Sequence, residues 1–114
     1  MAADTRQIAE KLHALKAAYD QQLGPRIGAL ESALAEIAAA GDAAGQIAAV
    51  GNLLELAHKI ADSAGTFGHP KLSAAASDLE GLCERIGKQG QMPSSENSKE
   101  LTELVAACRA FAEA

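Results

Sequence analysis

The chain has 114 residues, a formal charge of −5 and a mean hydropathy of −0.01, with no Trp, one Tyr and two Phe. That length supports one small domain, residues 1–114, around one modest core. An acidic balance without a basic cluster excludes the phosphate-neutralising surface that nucleic-acid binding requires. No apolar run is long enough to span a membrane and no signal-peptide stretch is visible, so a soluble, cytoplasmic protein without membrane contact is expected.

Roughly a quarter of the residues are alanine, the strongest intrinsic helix former. Asp4 is placed to cap a first helix, on which Ile8, Leu12, Leu15 and Tyr19 recur at helical spacing. Gly24-Pro25 interrupts this pattern, and a second helix is expected from Pro25 to Ala40 with Ile27, Leu30, Leu34 and Ile37 on one face. One bent helix would satisfy the same pattern. Gly41-Asp42 reads as a turn. A third helix is expected from Ala43 to Phe67, with an apolar stripe through Ile47, Val50, Leu53, Leu56, Ala57, Ile60, Ala64 and Phe67. Gly68-His69-Pro70 breaks it, and Pro70 suits the first position of the next helix, which carries Leu72, Ala75, Ala76, Leu79, Leu82, Cys83 and Ile86. Gly87 to Ser95 reads as the longest loop. Ser94 or Ser95 can cap a last helix with Leu101, Leu104, Val105, Cys108 and Phe111 inward.

These elements predict an all-α fold. The architecture expected is an antiparallel, up-and-down four-helix bundle with an additional N-terminal helical segment, Thr5 to Leu23. That segment either covers the bundle or pairs with a second copy, and a monomer is the default. Cys83 and Cys108 fall on apolar stripes without metal spacing, which fits buried, reduced thiols.

His58 lies in the middle of the third helix and points away from the buried stripe. Asp62 and Gly65, one and two turns on, share its face, bordered by Leu54 and Ala61. An imidazole on a strip of mainly small side chains is accessible to another protein, and near neutral pH its unprotonated nitrogen is a nucleophile. From helix position alone, an ordinary surface histidine is the favoured reading.

The stretch His58, Lys59, Ile60, Ala61, Asp62, Ser63, Ala64, Gly65, Thr66, Phe67, Gly68 resembles the motif of histidine-containing phosphotransfer (HPt) domains, close to H-x-L-K-G-S-[AS]-x-x-x-G. The resemblance implies an HPt-like bundle in a bacterial, cytoplasmic two-component phosphorelay, with His58 as the phospho-acceptor. It implies a phosphocarrier without ATP binding or kinase activity of its own, which passes a phosphoryl group between receiver domains or from a histidine kinase. The chain would need no cofactor itself, since Mg²⁺ and the acidic pocket belong to the partner receiver. The receiver would dock through Leu54, Lys59, Ala61, Asp62 and Gly65. Ser63 would support packing, and Gly68 would end the helix.

Two positions depart from the motif. Ala61 replaces a lysine that can help hold a phosphoryl group, and Lys59 points about 100° round the helix from His58. Asp62 replaces a glycine one turn above the imidazole. Its charge opposes an incoming phosphoryl group, but its carboxylate can also accept a hydrogen bond from the ring. The alternative is therefore a phosphotransfer-inactive module that binds a receiver or kinase as an adaptor. His69 reads as a capping or turn residue, and His13 has no matched carboxylate. The three histidines show no metal-ligand spacing. Glu31, Glu36, Glu55, Asp78 and Glu80 read as a solvated face.

Overall fold

The structure, a computed structural model, describes residues 2–114. Four helices make up the fold: α1 (Ala2–Ala39), α2 (Ala43–Ala64), α3 (Pro70–Gln89) and α4 (Ser95–Glu113). Each packs against its neighbour in the chain and α4 closes back on α1, which is the up-and-down ring expected of short connections. Among the described residues there is no strand, and no helix is long and apolar enough to cross a membrane.

The N-terminal segment is not a separate element. A single 38-residue helix runs through Gly24-Pro25. Proline costs a helix the bond to the carbonyl four residues back, here that of Gln21. Gln21 and Pro25 are both exposed, so water can satisfy that carbonyl. Tyr19 and Leu23 before the proline, and Ile27 and Leu30 after it, are buried in the same core. Packing on both sides thus outweighs the local break. Asp4 sits inside the first turn and does not cap the helix; an acidic side chain there still favours the positive end of the helix dipole.

At a rise of about 1.5 Å per residue, 38 residues reach about 57 Å. This matches the 59 Å long axis of the molecule, whose other extents are 23 and 19 Å. The first half of α1 therefore runs past the bundle. Residues 4–18 are exposed throughout, and Ile8, Leu12 and Leu15 continue the apolar stripe with nothing packed over most of their surface.

The other boundaries follow local chemistry. Asp42 caps α2 by accepting from the Gly45 amide at 2.7 Å, and Ser94 caps α4 by accepting from the Asn97 amide at 3.1 Å. α2 ends at Ala64, three residues before the expected Phe67. Residues 65–68 form turns, and Gly68 has φ +88°, a left-handed conformation available to glycine at little cost. Phe67 leaves the helix to stack on Tyr19, with ring centroids 4.6 Å apart. α3 continues to Gln89, three residues into the expected loop, and Gly90 closes it at φ +63°.

The core is wholly apolar, with no buried polar or charged residue among those described. Cys83 and Cys108 are buried free thiols, and desolvation pushes their pKa values up to about 12 and about 11. Phe111, expected inward, is 36% exposed because it lies in the last turn of α4. Leu79 is fully buried at the centre of α3, whereas Leu12 is 59% exposed. Leu79→Ala is expected to cost about 2–5 kcal/mol, and Leu12→Ala to stay within about 0.5 kcal/mol; urea unfolding of the two variants checks this.

Candidate functional site

α2 and α3 are joined by a short turn and fold back on one another. Their facing surfaces are built from small residues, including Ala57, Ala61 and Ala64 on α2 and Ala75 and Ala76 on α3, which allow close approach. Ser73 on α3 donates its hydroxyl hydrogen to the Ala61 carbonyl at 2.7 Å. Gly65 faces the same serine, and a Cβ built there would lie 3.5 Å from its Oγ. This pairing brings the first half and middle of α3 beside the second half of α2.

His58 follows the buried Ala57 and emerges at the rim of that interface with 54% of its side chain exposed. Glu80 follows the buried Leu79 and emerges opposite. The His58 Nδ1–H donates to Glu80, 2.9 Å from Oε2 and 3.1 Å from Oε1. Glu80 is therefore not part of a plain solvated face: its side chain is 21% exposed and holds the imidazole. This bond fixes the neutral tautomer with the proton on Nδ1 and the lone pair on Nε2, directed away from α3. Asp62 Oδ2 stands 3.1 Å from that Nε2, with 69% of the Asp62 side chain exposed.

The site is strongly acidic. The His58 pKa is raised above its ordinary 6.5, first by the hydrogen bond to Glu80, then by the charges of Asp62, Glu80 and Glu84; slight desolvation opposes them. Because the folded value lies above the unfolded one, the stabilisation from these carboxylates is fully present below about pH 6.5. It fades as pH rises through the raised value.

The remaining residues singled out in the sequence take distinct places. Leu54 is half-buried in a groove between α2 and α3 that also includes Cys83, Glu84 and Lys88. Ala61 is half-buried, and Asp62 and Gly65 are exposed along the strip that holds His58. Lys59 leaves on the other side and lines a groove of about 290 Å³ between α1 and α2, with Pro25, Arg26 and Leu56 among its neighbours. Ser63 is structural. Its hydroxyl donates to the Lys59 carbonyl at 2.8 Å, which leaves the Tyr19 hydroxyl to donate to Ser63 Oγ at 2.8 Å.

His69 stands at the N-cap of α3 but makes no capping bond through its side chain. Its Nε2 lies 2.7 Å from Asp20 Oδ1, so it ties the α2–α3 turn to α1. His13 is exposed on the projecting part of α1, beside Thr66, Phe67 and Gly68. The three histidines do not converge, and among the described residues no group of three or more His, Cys, Asp or Glu is placed to hold a metal ion. Glu31, also read as solvated, pairs with Arg109 of α4 at 2.6 Å and 3.2 Å. That exposed pair has little bearing on stability.

Glu80 is the residue that sequence reasoning missed, and its effect is testable. Replacing Glu80 by Gln keeps the shape and removes the charge. The His58 titration midpoint, followed by NMR of the imidazole, is expected to fall toward 6.5. An unchanged midpoint would rule out the Glu80 contact as its main cause.

No curated protein and no solved structure gives a significant match to the chain. The family model described as the Hpt domain matches residues 20–112, which takes in the bundle and leaves out the projecting start of α1. A bundle of four helices, an exposed histidine in the second half of α2 and a family match over most of the chain agree: the protein belongs to the Hpt domain family, the phosphocarrier modules of two-component signalling.

Proposed function

We propose that this protein carries a phosphoryl group on Nε2 of His58, taking it from the aspartyl phosphate of a receiver domain or from a kinase phosphohistidine and passing it to another receiver. The observation that carries this reading is the bond from His58 Nδ1 to Glu80, which leaves Nε2 as the nucleophilic nitrogen on an exposed helix face. In the acceptor step the Nε2 lone pair forms the N–P bond. The P–O bond of the acyl phosphate breaks, and its electron pair returns to the receiver carboxylate. The receiver contributes Mg²⁺ and the acidic pocket, and this chain contributes the nucleophile and the surface for docking.

Ala61 and Gly65 keep the strip around His58 low, so a receiver loop can approach Nε2. Leu54 adds apolar contact on one side and Lys59 a cation on the other. Asp62 lies on the approach path itself. The aliphatic groove formed by Pro25, Ala29, Leu56 and Ile60 beside Lys59 extends the docking face onto α1.

A second reading has its own observation. Asp62 stands against Nε2 where the family motif has glycine, and Ala61 stands where it has lysine. Both changes disfavour a phosphoryl group, which is what a module that docks a receiver without accepting phosphate would show.

The two readings separate in a transfer assay with Mg²⁺ and several receivers phosphorylated by acetyl phosphate. The first predicts acid-labile, base-stable phosphate on the wild type and none on His58→Gln, whose unfolding free energy stays within about 0.5 kcal/mol of wild type because the side chain is exposed. Receiver binding without transfer would favour the docking module.

A further inference from the structure

The two nitrogens of His58 face two carboxylates from two helices. Glu80 of α3 takes the Nδ1 hydrogen, and Asp62 of α2 stands 3.1 Å from Nε2. In the neutral ring with its proton on Nδ1, the lone pair of Nε2 points toward an anion, which is unfavourable. Protonation of Nε2 turns that repulsion into an ion pair. The arrangement therefore suits an imidazolium, which has no free lone pair and is no nucleophile.

We propose that Asp62 is a positioning residue that covers the phosphoryl-accepting nitrogen of His58, closing it while the protein is free and making phospho-His58 a ready donor rather than a store. The proposal rests on the reading of His58 as the phospho-acceptor. To accept phosphate, the ring must lose the Nε2 proton to solvent and the Asp62 side chain must turn away. With 69% of its surface exposed, Asp62 has room to do so. The Nε2 lone pair then forms the N–P bond as the acyl phosphate P–O bond breaks and the receiver aspartate leaves as carboxylate. The new phosphoryl group carries its negative charge beside the Asp62 carboxylate, and Ala61 offers no cation to offset it. The charge that draws a proton to the empty ring thus pushes the phosphoryl group off the loaded one.

The carboxylates around the ring agree in sign. From α2 the neighbours are Asp62 and, on the flanking turns, Glu55 and Lys59; from α3 they are Glu80 and Glu84. On α1, Arg26 lines the groove with Lys59 and lies over the Tyr19 ring, 5.2 Å from its centroid. Asp62, Glu80 and Glu84 each raise the His58 pKa. Of these, Asp62 is the one set against Nε2.

The experiment uses the full chain and its Asp62→Asn variant, which keeps the shape and removes the charge. The His58 imidazole is titrated by NMR in both. Each is then equilibrated with a receiver phosphorylated by acetyl phosphate and Mg²⁺, across pH 6 to 9. The expected results in Asp62→Asn are a lower titration midpoint, an acceptor-rate profile whose rise begins at lower pH, and an equilibrium shifted about tenfold toward phospho-His58. An unchanged midpoint, or an unchanged equilibrium despite transfer in both proteins, would overturn the covering role. A midpoint that falls while neither protein accepts phosphate from any receiver would instead sink His58 as an acceptor, and the donor role of Asp62 with it.

Discussion

The close packing of α2 against α3 is the constraint on which the rest of the site depends. Small residues along both helices, the Ser73 bond to the Ala61 carbonyl and the absence of a side chain at Gly65 let the two backbones approach. Ala57 and Leu79 are buried in that core, and the residue after each emerges at its rim. His58 and Glu80 meet there because their predecessors are packed, not because either was placed by a loop. A shift of one residue in the pairing would separate the carboxylate from Nδ1 and leave the tautomer unset.

The same economy holds at the far end of the hairpin. Tyr19, Ser63 and the Lys59 carbonyl form a short chain of hydrogen bonds, Phe67 stacks on Tyr19, and His69 reaches Asp20. Polar groups at this junction are partnered, so the buried Tyr19 brings no unsatisfied hydroxyl into the core. The interior can therefore remain wholly apolar, as a small domain with a modest core requires.

Much of this was legible in the sequence, for physical reasons. Helical periodicity located all the helices, and the buried positions of α3, Leu72 through Ile86, are the ones its stripe names. Ser94 marked a real start, whereas Gly68 lies four residues past the end of α2 at Ala64 and α3 runs on through Gly87 to Gln89. Pro25 misled because local cost was weighed without the packing of Tyr19, Leu23, Ile27 and Leu30 on either side of it. Phe67 was drawn into α2 by spacing, though its partner Tyr19 lies on another helix. Glu80 was hidden for a related reason: its role appears only when α3 folds back on α2. A cue existed in the turn at Gly68-His69-Pro70, since residues at equal distances from it along an antiparallel hairpin lie side by side, and 58 and 80 are each eleven residues from 69. The ties from Asp20 to His69 and from Glu31 to Arg109 span 49 and 78 residues and leave no such cue.

Among the described residues, His58 and the carboxylates around it all stand on helices, and none of them is held by a loop. A site without a lid has no means of its own to exclude water. On the proposed reading of His58 as phospho-acceptor, shelter for its nitrogen would come from whatever docks, so the time a labile bond survives there would be set by how long a partner stays. Dissociation and hydrolysis would then be linked events, and a signal held on such a surface would be timed by residence.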